Sequence, residues 1–200
     1  RRQRQMCIRD SAHKVEEIET ALNFEGWEFK SLKDAGLVSD PEESGTTFLE
    51  NARIKARAAH ELACAAVLAD DSGLIVDALD GAPGVYSSRY SGVDGDDSAN
   101  NAKLLRELSA VPLAKRTARF ASVLVFIDED GLETVAEGFV EGRIGLVERG
   151  EHGFGYDPLF FPDAYNGEVT MAELTQSQKN AISHRGNALR ELRKKLHPSG

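Results

Sequence analysis

The feature that most constrains this chain is a pair of adjacent carboxylates, Asp70-Asp71, set between two apolar runs, Ala66-Val67-Leu68-Ala69 and Leu74-Ile75-Val76. Taking an unpaired charge out of water costs more than a fold can absorb repeatedly. A cation must therefore meet this pair if it is buried, and it is either a basic side chain or a metal ion. The alternative is an exposed Asp70-Asp71-Ser72-Gly73 turn joining two short strands.

Around that point the pattern is one of alternating helices and strands. Val15, Ile18, Ala21 and Leu22 recur at helical spacing, so 14–23 reads as a helix, and 27–32 alternates as a strand. Helix formers run from Phe48 to Cys64, with Thr47 and Glu50 spaced as a capping box. Asp96-Asp97-Ser98 caps a helix over 99–108, where Ala102, Leu105 and Leu108 make the core strip. The run RFASVLVFI (119–127) is the clearest strand, and 133–143 reads as its antiparallel partner across Asp130-Gly131. A glycine-rich loop (153–158), a short helix (176–182) and a final helix from about Arg185 to Leu196 follow. This predicts an α/β fold with a mixed sheet in one domain.

Composition excludes several function classes. At 200 residues with 41% hydrophobic and 28% charged residues, the chain has enough material for a core. No apolar run approaches the roughly 18 residues that span a bilayer. Cys7 and Cys64 form no CxxC pair, which argues against zinc or a disulfide framework and for a reducing cytoplasm. A net charge of −9 argues against a nucleic-acid polymer as partner, while leaving room for a small polyanion held by local basic groups and a metal. The opening RRQRQMCIR (1–9) has four arginines and no apolar period, so residues 1–10 read as a non-native or disordered segment and 11–200 as the domain.

Five separated segments place charge or backbone donors in loops at element ends: Lys14; Glu43 with Glu50 and Asn51; Asp70-Asp71-Ser72; Phe154-Gly155-Tyr156-Asp157; and Lys179 with His184-Arg185. Carboxylate oxygens without Cys or His suit magnesium or manganese. Glu50 and Asn51, one turn beyond Glu43, are placed to converge on an ion that Asp71 also holds. Lys14, Lys179 and Arg185 supply the positive charge a polyphosphate requires. Gly153 and Gly155 let backbone N–H groups approach a ligand.

The runs SGTTFLENARIKA (44–56), LADDSGLIVDALDGAPGVYSSRYSG (68–92), GFGYDPLFF (153–161) and ELTQSQKNAISHRGNAL (173–189) resemble the inosine triphosphate pyrophosphatase family, in family order. The resemblance implies an elongated mixed sheet flanked by helices, two lobes with a central nucleotide cleft, and a cytoplasmic homodimer. It implies magnesium-dependent hydrolysis of non-standard purine nucleoside triphosphates (ITP, dITP, XTP) to the monophosphate and pyrophosphate. It makes Asp71 metal ligand and proton acceptor, and Glu43 a second metal ligand. It assigns Lys14, Ser72, Phe154, Gly155, Tyr156, Asp157, Lys179, His184 and Arg185 to the substrate. Asp70 remains open between metal ligand and hydrogen-bonded turn residue.

One departure stands out. The family's Thr-x-Asn-x-x-Lys phosphate loop reads Arg9-Asp10-Ser11-Ala12-His13-Lys14 here, and no apolar strand is evident before it. A lost central strand and weakened phosphate binding would make the chain a catalytically impaired nucleotide-binding protein of the same fold. A septum-inhibitor type of nucleotide pyrophosphatase is the other alternative, and Ser183-His184-Arg185-Gly186 speaks against it.

Overall fold

The computed structural model describes residues 4–9, 15, 18, 19, 21, 22, 24 and 26–196. Six strands form one mixed sheet in the order β2-β1-β3-β4-β5-β6. These are β1 (Arg4–Arg9), β2 (Trp27–Ser31), β3 (Ala66–Val76), β4 (Thr117–Ile127), β5 (Glu133–Ile144) and β6 (Phe160–Pro162). Among the described residues, helices accompany them at α1 (Phe48–Ala63), α2 (Asp97–Glu107), α3 (Gln176–Ile182) and α4 (His184–Leu196), and residues 15, 18, 19, 21 and 22 are also helical. The chain divides into two compact units, one of 1–71, 122–138 and 185–200, the other of 72–121 and 139–184.

In the first unit β1 lies between β2 and β3 and runs parallel to both. This corrects the expectation that no opening strand exists and that residues 1–10 carry no structure of their own. Met6 and Ile8 are fully buried, so the strand is central to the core. Three apolar residues between arginines are too few to show a period, yet a parallel strand covered on both faces needs only such a short continuous run.

Alternation along β3 and β4 assigns their side chains to opposite faces. Met6, Ile8, Leu68, Leu124 and Phe126 pack with Ile18 and Leu22 and with Leu189 and Leu192 of α4. On the other face Ala69, Val123, Val125 and Ile127 pack against Ala52 and Ala56 of α1. Alanines at that i, i+4 spacing let the helix sit close to the sheet. Helix α1 begins as its sequence predicts: the Thr47 hydroxyl accepts from the Glu50 N–H, and Glu50 reaches back in a complete capping box. The β4–β5 turn is tied by the Asp128 carboxylate, which accepts from the N–H groups of Asp130 (2.9 Å) and Leu132 (2.8 Å).

In the second unit β6 pairs antiparallel with β5, Gly142 opposite Pro162 and Ile144 opposite Phe160. Its core gathers Leu74, Val76, Leu104, Phe120, Val140, Phe160 and Met171. Helix α2 differs from the predicted core strip. Asn100, Asn101, Leu104 and Leu108 are its buried positions, while Ala102 faces solvent. Two asparagines lead the buried face because each bonds to a neighbouring loop, a pattern that a count of apolar residues cannot see.

Arg116 is buried, and its charge is met by backbone oxygens. Its guanidinium donates to three backbone carbonyls, Leu108 (2.7 Å), Gly145 (2.9 Å) and Val111 (3.0 Å). One side chain thus closes the loop after α2 onto the end of β5, satisfying carbonyls that would otherwise be stranded. Arg116→Met is expected to cost about 3 kcal/mol in urea unfolding, the scale of losing charge-assisted hydrogen bonds and stranding their acceptors. A loss under about 1 kcal/mol would show that those carbonyls find water instead.

Candidate active site

The tandem carboxylates do not form a turn. β3 runs unbroken through Asp70, Asp71, Ser72 and Gly73, and both aspartates are buried. Strand alternation sends them to opposite faces, and each meets its own cation. Asp70 accepts from Arg185 Nε (3.0 Å) and Nη2 (2.9 Å) through one oxygen and from the Ser122 hydroxyl (2.9 Å) through the other. Asp71 Oδ1 accepts from Lys55 Nζ (2.6 Å) on α1, and the same ammonium lies 2.9 Å from Glu43 Oε1. Of the two cations the sequence argument left open, a basic side chain serves each aspartate.

This arrangement separates two roles. Asp70, gripped by Arg185 and Ser122, holds α4 and β4 in register with β3. Asp71 is different. Burial pushes its carboxyl above the usual range, the Lys55 charge opposes that shift, and Glu43 and Asp70 add to it. Its Oδ2 is buried and has no hydrogen-bond partner. A buried, unpartnered carboxylate oxygen next to a second carboxylate is costly, and it calls for a ligand that supplies positive charge.

Lys55 was missed by the sequence reading, although it lies inside one of the quoted motifs. The signal was there: a lysine on the Ala52–Ala56 face of a helix must either bury its charge against anions or leave the packing. Its stem is 6% exposed, and only its ammonium reaches the two acids. Glu50 and Asn51 do not converge on an ion. Glu50 Oε2 accepts from Thr46 N (2.7 Å), Thr46 Oγ1 (2.9 Å) and Thr47 N (3.1 Å), which spends it on the helix start. Asn51 Oδ1 accepts from Gly45 N (2.9 Å), bracing the loop that carries Glu43. A Cβ at Gly45 would come within 2.6 Å of that same oxygen, so glycine is what permits the close approach.

The residues present fit magnesium. The donors are oxygens, two carboxylates face one point of charge, and one carboxylate oxygen is orphaned. Among the described residues no group of three or more His, Cys, Asp or Glu side chains could hold a metal. Magnesium is the ion that accepts one or two carboxylates and takes its remaining ligands from water and phosphate.

The second unit carries the other predicted residues. Asp157 folds back on its loop: its carboxylate accepts from Phe154 N (3.0 Å) and pairs with Lys179 of α3. Gly153, at φ +84°, leaves space for that carboxylate, which a Cβ would strike. Lys179 Nζ also lies 4.7 Å from the centroid of the Phe154 ring, which is 68% exposed. Tyr156 is buried, and its hydroxyl donates to the Ser87 carbonyl (2.8 Å); burial raises its pKa above the ordinary phenol range. The side chains of Tyr156 and Asp157 therefore build the loop, and Phe154 is what it displays. Ser72 is half-buried on β3, and the His184 ring stacks on Phe120 with centroids 5.2 Å apart. Lys14 lies outside the described residues.

The two aspartates are expected to respond oppositely to the same substitution. Asp70→Asn removes the negative charge that faces the buried Arg185 and should cost about 3 kcal/mol. Asp71 has a raised pKa, so its ionised form already opposes folding above the unfolded carboxyl pKa, and Asp71→Asn should leave the melting temperature unchanged or slightly raised at neutral pH. Equal melting losses in the two variants would break the assignment of separate roles.

Comparison with known proteins gives the family. Residues 8–195 match the model of the Ham1 family. The chain is 49% identical over 182 residues to a dITP/XTP pyrophosphatase of Exiguobacterium sibiricum, covering 91% of each chain. It is 48% identical over 184 residues to a dITP/XTP pyrophosphatase of Bacillus subtilis, covering 92% of this chain and 91% of that one. The structure of the Staphylococcus aureus Ham1 protein superposes with a TM-score of 0.89 at 37% identity, over 98% of this chain and all of the other. A buried Asp-Asp strand neutralised by Lys55 and Arg185, in a mixed six-stranded sheet and in a sequence matched nearly end to end, places this chain in the Ham1 family.

Proposed function

We propose that this chain is a nucleoside triphosphate pyrophosphatase that hydrolyses dITP, XTP and ITP to the monophosphate and pyrophosphate. One observation carries the reading. Asp71 is a buried carboxyl with a raised pKa, paired through one oxygen to a lysine shared with Glu43 and unpartnered at the other. Perturbed acids of that kind are kept for chemistry far more often than for stability.

Water attacks the α-phosphorus, the bond to the bridging oxygen before the β-phosphorus breaks, and pyrophosphate leaves. Asp71 accepts the proton of the attacking water. Glu43 and Asp71 would hold magnesium, which when bound would neutralise charge on the phosphate oxygens. Lys55 keeps the two carboxylates from repelling each other. Lys14 and Lys179 are the further cations assigned to the polyphosphate, with Ser72, Gly155, His184 and Arg185 as contacts.

For the base, Phe154 offers an exposed aromatic face for stacking. His184 and Arg185 are the donors assigned to a purine 6-oxo group. Adenine presents an amino group there, which leaves those donors unpaired and desolvated, a difference worth factors of ten or more. The proposed catalytic domain includes β1, whose Met6 and Ile8 are buried in the core. The family resemblance supports a homodimer in the cytoplasm without a nucleic-acid polymer as partner. The two free thiols Cys7 and Cys64 and the net charge of −9 are in keeping with that setting.

Pyrophosphate release from dITP and XTP with magnesium, measured beside dATP, tests the reading. Turnover of dITP should exceed that of dATP by at least about a hundredfold. Asp71→Asn should lower kcat by roughly a hundredfold or more, the scale of a lost general base. Glu43→Gln should raise the magnesium concentration needed for half-maximal rate by at least about tenfold. Orthophosphate in place of pyrophosphate, or an Asp71→Asn variant with near-normal turnover, would sink it.

A further inference from the structure

The Phe154 loop is held at one point by a device outside the loop. Helix α2 opens with Asp96 as its N-cap, whose carboxylate accepts from Ala99 N (2.9 Å). Asp97 is therefore free of capping duty, and its Oδ2 accepts instead from Gly155 N (2.6 Å). One turn on, Asn101 Nδ2 donates to the Gly155 carbonyl (3.1 Å). An i, i+4 pair on one helix face thus grips both polar atoms of a single glycine in the left-handed region, φ +62°. We propose that Asp97 and Asn101 are positioning residues for substrate binding, and that they act by fixing the Gly155 backbone and so aiming the Phe154 ring.

Three observations support a positioning role over a merely structural one. Phe154 is 68% exposed, so core packing does not set where its ring points. Its backbone N–H is already spent on Asp157, which leaves the Gly155 peptide as the next handle on its direction. Asn101 is 3% exposed, and its Oδ1 is buried without a hydrogen-bond partner. An apolar residue of similar volume there would relieve that stranded oxygen, so stability alone does not call for asparagine. The bond to Gly155 does. The same helix holds the neighbouring turn, since the Asn100 side chain bonds to Ser88 O (3.0 Å) and Ser91 N (2.7 Å). That turn receives the Tyr156 hydroxyl at Ser87, so the loop leans on α2 both directly and through it.

The inference rests on the proposed pyrophosphatase reading, and its test separates the two. Steady-state hydrolysis of dITP is measured for wild type, Asp97→Ala, Asp97→Asn and Asn101→Asp, with thermal melts and hydrogen exchange of the peptide containing Gly155. Asp97→Ala should raise KM about tenfold while kcat stays within about twofold, the pattern of lost uniform binding. Asp97→Asn keeps an acceptor and should return most of that KM, whereas Asn101→Asp turns a donor toward the carbonyl into an acceptor and should raise KM as Asp97→Ala does. Exchange at the Gly155 amide should quicken in Asp97→Ala. An unchanged KM and unchanged exchange in Asp97→Ala would overturn the proposal, as would a fall in kcat and melting temperature with KM unmoved. Should Asn101→Asp fail to fold, the Asp97 pair decides alone. If wild type releases no pyrophosphate from dITP, the functional reading falls, and the exchange measurement still decides whether the clamp exists.

Discussion

Two carboxylates on consecutive residues of a buried strand cannot be neutralised by one partner, because the strand turns them to opposite faces. That constraint organises the first unit of this protein. Asp70 requires a cation on the α4 face and receives Arg185, braced by Ser122. Asp71 requires one on the α1 face and receives Lys55. Each helix is thereby tied to β3 by a buried ion pair as well as by apolar packing. Such pairs contribute little net stability, and removing a carboxylate is expensive at Arg185 but not at Lys55, which keeps Glu43 as a partner, so the pairs act more as locks on arrangement than as sources of free energy.

The two pairs differ in completeness, and the difference carries the chemistry. Around Asp70 one oxygen meets the guanidinium and the other a hydroxyl. Around Asp71 a single ammonium serves two carboxylates and leaves one buried oxygen unanswered. The net charge of that cluster is negative, and burial above all, with the Glu43 and Asp70 charges adding to it, raises the Asp71 pKa. A site that is short of positive charge before its ligand arrives gains the most when a divalent ion and basic phosphate contacts enter.

The second unit achieves display by the opposite means. Its glycine-rich loop satisfies nearly every side chain internally: Asp157 on Phe154 N–H and Lys179, Tyr156 on Ser87, and Gly155 on α2. What remains outward is the Phe154 ring, with a lysine ammonium beside it. Rigid backbone with one exposed aromatic is an economical binding element, since little conformational entropy is left to lose on binding.

Much of this was legible in the residues themselves. Helix α1 with its capping box, helix α3, the 119–127 strand and the need for cations at Asp70-Asp71 all follow from local pattern, and the order of four motifs pointed to the family. What local pattern did not hold were the facts that depend on partners distant in the chain. Met6-Cys7-Ile8 is too short to announce a strand and becomes one only because β2 and β3 flank it. Asn100 and Asn101 carry no apolar signal, and their burial follows only from the loops they bond. The sequence alone determined that two adjacent carboxylates inside an apolar context must be paired. Only the tertiary structure decided that the pairing runs 16 residues back to Lys55 for one and 115 residues onward to Arg185 for the other. Which cation serves which face depends on the helices packed there, and that packing is a property of the assembled sheet.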